Sequence, residues 1–151
     1  MKQEDKKLLL KDLCARLTYK VKIEITWWVM GEGTCMNTTL EADHIEQLLN
    51  DEDGDTEIKP YLRPMSSMTE EEAKEISILY GLKDILSTKT TDEYIEVVVD
   101  DGFCSTETRT IWYDEIISSI EIFDWLNAHH FDFRGMIEKD LAIKAPEGMY
   151  K

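Results

Sequence analysis

Two spacings of apolar residues alternate along this chain. Over residues 5–17, Leu10, Leu13, Cys14 and Leu17 fall at i, i+3, i+4 and i+7, the single stripe of an amphipathic helix. Over residues 21–30 the period changes to two. Val21, Ile23, Ile25, Trp27 and Val29 face one way, and Lys22, Glu24, Thr26, Trp28 and Met30 face the other, as in a strand. Gly31-Glu32-Gly33 reads as the turn, and the Thr-rich stretch 34–40 as the returning strand. Residues 42–49 then give a short helix with Ile45, Leu48 and Leu49 inward, followed by an acidic loop over 51–55.

Pro60 and Pro64 hold the residues between them extended, because proline disfavours helix at the residue before it. Ser67-Met68-Thr69-Glu70 fits a capping box and opens a helix with Ala73, Ile76, Leu79 and Tyr80 buried and Gly81 as its stop, and residues 82–86 add a further turn. Residues 93–100 and 103–113 form a second hairpin on the turn dipeptide Asp101-Gly102. Ser118-Ser119-Ile120-Glu121 is a second capping box, with Ile120, Phe123 and Leu126 on one face of a helix reaching about His129. A short last helix is expected over 135–142. Hairpins separated by helices predict an α+β fold, an antiparallel sheet built from two β-hairpins with helices packed on it. One domain is expected over residues 1–151, with a short flexible tail from about 145.

Charge narrows the possible functions. The chain has 151 residues with 17 Lys+Arg against 32 Asp+Glu, a formal net charge of −15. The first 22 residues are locally basic, at +4. Eight carboxylates and no Lys or Arg lie between positions 41 and 57, and ten carboxylates with only Arg109 between 92 and 124. Bulk nucleic-acid binding needs a basic surface, so direct nucleic-acid contact is not expected. No apolar run approaches the roughly 18 residues of a membrane span, and no secretory leader is visible, which reads as cytoplasmic. Cys14, Cys35 and Cys104 are widely spaced and read as reduced, mostly buried thiols rather than a disulfide or metal framework. A solvated acidic surface is the plain reading of the charge; docking to a basic partner is the functional one. The basic first helix is free to rest on the acidic body of its own chain or of a second copy, which leaves a homodimer open.

Catalytic and cofactor motifs are missing. Asp51, Asp53 and Asp55 suggest a calcium loop, but its sixth and twelfth positions hold Thr56 and Leu62, where glycine and glutamate are required. Glu41 and His44 have the i, i+3 spacing of a bundle metal site without a second copy of the motif. There is no nucleophile elbow, no phosphate-cradling glycine loop and no zinc-protease helix. No cofactor or metal is expected, and an enzyme is the less favoured reading. Adjacent Trp27 and Trp28 on a strand must point to opposite faces. If Trp28 is the outer one, Met30 lies beside it and the pair suits a partner contact. His129, His130, Asp132 and Arg134 form the other candidate cluster, either for partner contact or, if they converge on one cleft, for a small enzymatic or ligand pocket.

Three blocks carry a resemblance. They are residues 11–17 (KDLCARL) with Tyr19, Val21 and Lys22; residues 58–72 (IKPYLRPMSSMTEEE); and residues 124–139 (DWLNAHHFDFRGMIEK). Together they resemble an uncharacterised family of small proteins from gut anaerobic bacteria and their phages and prophages. Thr18 and Lys20 depart from it, standing where Pro and Gly would be expected. The resemblance implies carriage on a phage or mobile element and brings no activity or site residue with it. The expectation is a non-enzymatic accessory protein working by protein–protein contact on a partner with a basic patch. The alternative is an acidic mimic of nucleic acid that inhibits a host defence protein.

Overall fold

The computed structural model describes residues 1–150; Lys151, the end of the expected tail, lies outside the described residues. Among the described residues, four α-helices and seven strands in two mostly antiparallel sheets make the fold α+β. Both expected hairpins form, each in its own sheet. Among the described residues no helix is long and apolar enough to cross a membrane. The chain divides into two compact units: residues 1–62 with the stretch from Arg134 onward, and Arg63–Phe133 inserted between them.

The first unit contains α1 (Gln3–Arg16), β1 (Lys22–Val29), β2 (Glu32–Thr39), α2 (Ala42–Asn50), β3 (Thr56–Leu62) and β7 (Ile143–Lys144), with sheet order β2-β1-β3-β7. Ile23, Ile25, Ile58 and Leu62 are fully buried and pack with Leu9, Leu13, Leu48 and Met136. The buried stripe of α1 is Leu9, Asp12, Leu13 and Arg16, one residue earlier than apolar spacing predicts, and Cys14 is exposed. Both stripes obey helical periodicity. Asp12 and Arg16 enter the shifted one as a neutralised pair, Arg16 Nε donating to Asp12 Oδ2 at 2.7 Å. Cys35 and Cys104 are exposed as well, against the expectation of buried thiols.

The β1–β2 turn is Met30-Gly31, both at positive φ (53° and 85°), so β2 begins at Glu32, earlier than expected. Such two-residue turns match the natural twist of a hairpin. Pro60 sits within the sheet opposite Ile23. Trp28 N donates to Asp55 O, which by alternation makes Ile23–Pro60 a pair without β1–β3 hydrogen bonds. The missing N–H of Pro60 therefore costs this ladder nothing. No helix forms over 135–142; Gly135 (φ 63°) and Asp140 (φ 56°) bend the chain through turns into β7. Of the residues expected inward on α2, Leu48 is fully buried and Ile45 partly buried, while Leu49 is exposed. Within the expected tail, the Tyr150 hydroxyl donates to Tyr61 O (2.7 Å) and accepts from Lys22 N (3.0 Å).

The second unit contains α3 (Glu70–Leu79), β4 (Ile85–Thr90), β5 (Tyr94–Asp100), β6 (Thr106–Trp112) and α4 (Ile120–Ala128), with sheet order β4-β5-β6. Ile76, Ile95, Val97, Ile111, Ile122, Leu126 and Phe131 form its core. Both capping residues fall later than predicted. Thr69 caps α3, its Oγ1 accepting from Glu72 N while Glu72 Oε2 accepts from Thr69 N. Ser119 caps α4, which turns Ile122 and Leu126 inward and leaves Ile120 exposed. The stretch expected to lengthen α3 instead leads into β4. The β5–β6 connection spans residues 101–105, longer than a two-residue turn, because the Asp101 carboxylate accepts from Phe103 N, Ser105 N and the Ser105 hydroxyl. The ends of this unit are stitched together: Arg63 N donates to His130 O and Asp132 N to Arg63 O, both at 2.8 Å.

Candidate functional site

The tip of the β1–β2 hairpin exposes three consecutive large apolar residues, Trp28, Val29 and Met30. Of the paired tryptophans, Trp27 is partly buried against the core, and Trp28 is the outer one at 46% exposure. The Trp28 ring lies over Gly33 on the neighbouring strand, where a Cβ would stand 3.1 Å from it. Glycine therefore fits here because the indole occupies the space a side chain would use. Val29 and Met30 follow, and Met30 is fully exposed. Met30 holds φ 53°, a left-handed conformation costly for a side-chain-bearing residue. The turn thus points an apolar thioether into water.

This tip is bound to the acidic loop through Trp28 N and Asp55 O, 2.8 Å apart. Trp28 also forms part of the wall of a cleft of about 730 Å³, shared with Leu9, Lys6, Asp51, Asp53 and Lys59. Six carboxylates and three lysines line the cleft, so its field is negative. All three lysines are already engaged, Lys139 Nζ donating to Arg134 O at 3.3 Å. Lys6 Nζ donates to Asp51 O, which also shows α1 reaching the acidic loop within one chain. Lys59 bridges Glu57 and Asp140; burial alone would lower its pKa, but these two hydrogen-bonded carboxylates hold it above its ordinary value. The loop is shaped by Asp51, whose two carboxylate oxygens accept from Asp55 N and Thr56 N. Among the described residues no three His, Cys, Asp or Glu side chains gather as a metal site.

The second candidate cluster is divided. His129, His130 and Asp132 lie in the second unit, and Arg134 in the first. There Arg134 Nη1 donates to Asp12 Oδ1, so Asp12 holds two guanidinium groups. His129 stacks on Trp125 with ring centroids 3.9 Å apart, and its Nδ1 donates to Trp125 O, since a carbonyl only accepts. Trp125 lies parallel to Phe131, and Arg63 sits 4.2 Å over the Phe131 ring. Arg63 in turn grips Glu72 through its two terminal guanidinium nitrogens, at 2.7 and 2.8 Å. Burial pushes the Glu72 carboxyl up, but Arg63, the Thr69 N–H and the charge of His129 outweigh it and hold the group below the ordinary carboxylate range. His130 and Asp132 are buried, with their backbones on Arg63.

The sequence singled out Trp28 and Met30 but not their acidic neighbours as part of one surface. The link is a backbone hydrogen bond between residues 27 positions apart, for which no side-chain pattern exists. His44, weighed as a possible ligand, accepts from Glu41 N at the start of α2 and serves as a cap. Compared with known proteins, the chain matches no family model, no curated protein and no solved structure.

Proposed function

We propose that this chain is a non-enzymatic cytoplasmic binding protein, an accessory factor of a phage or mobile element, and that it holds a protein partner bearing a basic patch. The observation that carries the reading is the union of an exposed Trp28–Val29–Met30 tip with the carboxylates of the 51–55 loop. An aromatic and a methionine supply an apolar anchor, and surrounding charge supplies selectivity and speed of encounter. Lys-rich or Arg-rich surfaces satisfy both requirements; polyanions are repelled by the same field.

Affinity capture from host lysate at low salt tests this with three baits: the wild-type chain, Trp28→Ala and Asp53→Lys. A partner retained by the wild type, lost from both variants and released by high salt is the expected result. Failure of the wild type to retain any protein, or retention indifferent to both substitutions, overturns the reading.

A further inference from the structure

Strand β2 is an outer edge of the first unit's sheet. Its hydrogen-bond alternation follows from the strand it already pairs with. The two-residue turn makes Val29 and Glu32 a hydrogen-bonded pair, and Leu40 N donates to Val21 O at the other end. Odd-numbered residues of β1 therefore bond β2, while even-numbered ones face β3, as Trp28 does through Asp55. By the same alternation Gly33, Cys35, Asn37 and Thr39 aim their N–H and C=O groups away from β1, out of the sheet. Natural edges are blunted by charge, proline or bulges. From Gly33 to Thr39 there is no charged residue and no proline, and the β1–β2 register runs without a shift. This neutral run belongs to a chain in which 32% of residues are charged.

We propose that β2 pairs antiparallel with β2 of a second copy of this chain, about a two-fold axis normal to the sheet, with Met36 opposite the Met36 of the copy. A two-fold of that kind returns each sheet face to itself, and directly opposed residues share a face. Only registers centred on a residue are therefore allowed. Centring on Met36 engages all four outward-facing residues, Cys35 with Asn37 and Gly33 with Thr39. Centring on Cys35 or Asn37 leaves one of the four unpaired. The half-exposed Met36 side chain then meets its own copy, apolar against apolar. Glu32, the strand's one charged residue, falls opposite Leu40, so no like charges face each other. The second sheet's outer edges are both blunted: β4 carries Lys89 and a register shift, and β6 carries Glu107 and Arg109. Because each copy bears a net charge of −15, this pairing tightens as added salt screens repulsion. A contact between the basic α1 and an acidic neighbour would loosen instead. The inference goes beyond the partner reading above and does not depend on it.

Sedimentation of the wild type across concentration and salt, with site-directed cross-linking, tests it. In a background with Cys14, Cys35 and Cys104 changed to Ser, Met36→Cys places two thiols in a non-hydrogen-bonded pair, with Cα atoms about 4.5 Å apart. Mild oxidation should convert it largely to covalent dimer. Thr34→Cys, which falls opposite Thr38 and not itself, should stay monomeric on denaturing gels. Met36→Lys opposes two ammonium groups at the centre and should give a monomer with unchanged circular dichroism. The proposal is overturned by a wild type that stays monomeric at every concentration and salt, by Thr34→Cys linking as readily as Met36→Cys, or by Met36→Lys remaining a dimer.

Discussion

Asp12 has no solvent exposure, and its two oxygens are divided between Arg16 and Arg134. Removing one member of a buried charge group unbalances the charge that remains desolvated, at a cost of about 3–5 kcal/mol. Asp12→Ala should lose stability on that scale in a denaturant titration; a loss under about 1 kcal/mol would mean that the guanidinium groups reach water. Only half of this group was legible in the sequence. Asp12 and Arg16 are visibly one helical turn apart, but counting apolar residues favours the neighbouring stripe through Cys14. Arg134 lies 122 positions from Asp12, and the sequence suggests for it only a contact role, because long-range partners leave no local periodicity. Lys20 shows the reverse: it holds φ 54°, where glycine is at ease, at a position already singled out as departing from Gly.

At the scale of elements, four of the five expected helices form, and the caps of α3 and α4 sit later than the sequence places them. Where Ser67 and Thr69, or Ser118 and Ser119, stand close together, either can serve as cap, and the choice falls to tertiary contacts. At α3 the deciding contact is Arg63, which holds Glu72 in place for Thr69. The Glu72 carboxyl is held below its ordinary value of 4.5, so its stabilising contribution is present above about pH 4.5 and fades as pH falls through the folded value. Glu72→Gln should therefore cost about 1–3 kcal/mol near pH 7, with the gap from wild type closing in acid. Melting curves that stay equally separated at pH 7 and pH 3 would contradict this. Strands β3 and β4 went unrecognised as sheet members for local reasons: prolines mark β3, and β4 has few apolar positions to alternate. The tryptophans give a paired prediction. Trp27→Ala removes ring surface packed on the core and should cost about 2–4 kcal/mol, whereas Trp28→Ala should cost about 1 kcal/mol or less. Equal losses in thermal melts would place both rings in the core.

Across the whole molecule the α+β class was readable because it depends only on the order of helices and hairpins. The separation into two compact units was not, because neither Leu62–Arg63 nor Phe133–Arg134 lies in a linker of distinct composition. In each unit a partly buried tyrosine hydroxyl is strongly shifted. Burial, reinforced by the charge of Asp92, pushes Tyr113 to about 12, and burial pushes Tyr150 to about 12 despite the Lys22 N–H. A raised folded value means a stabilising contribution that is complete below the ordinary value of 10.0 and is lost as pH rises through about 12. Absorbance titration should show these two ionising late, together with loss of structure; ionisation well before any structural change would contradict this. The central claim, that the acidic-rimmed hairpin tip works by contact, is tested most directly by oxidative footprinting of the chain with and without its captured partner. Protection of Trp28 and Met30, with Leu86 and Phe103 in the second unit unchanged, is the predicted pattern; a complex in which Trp28 and Met30 oxidise as fast as in the free chain would contradict it.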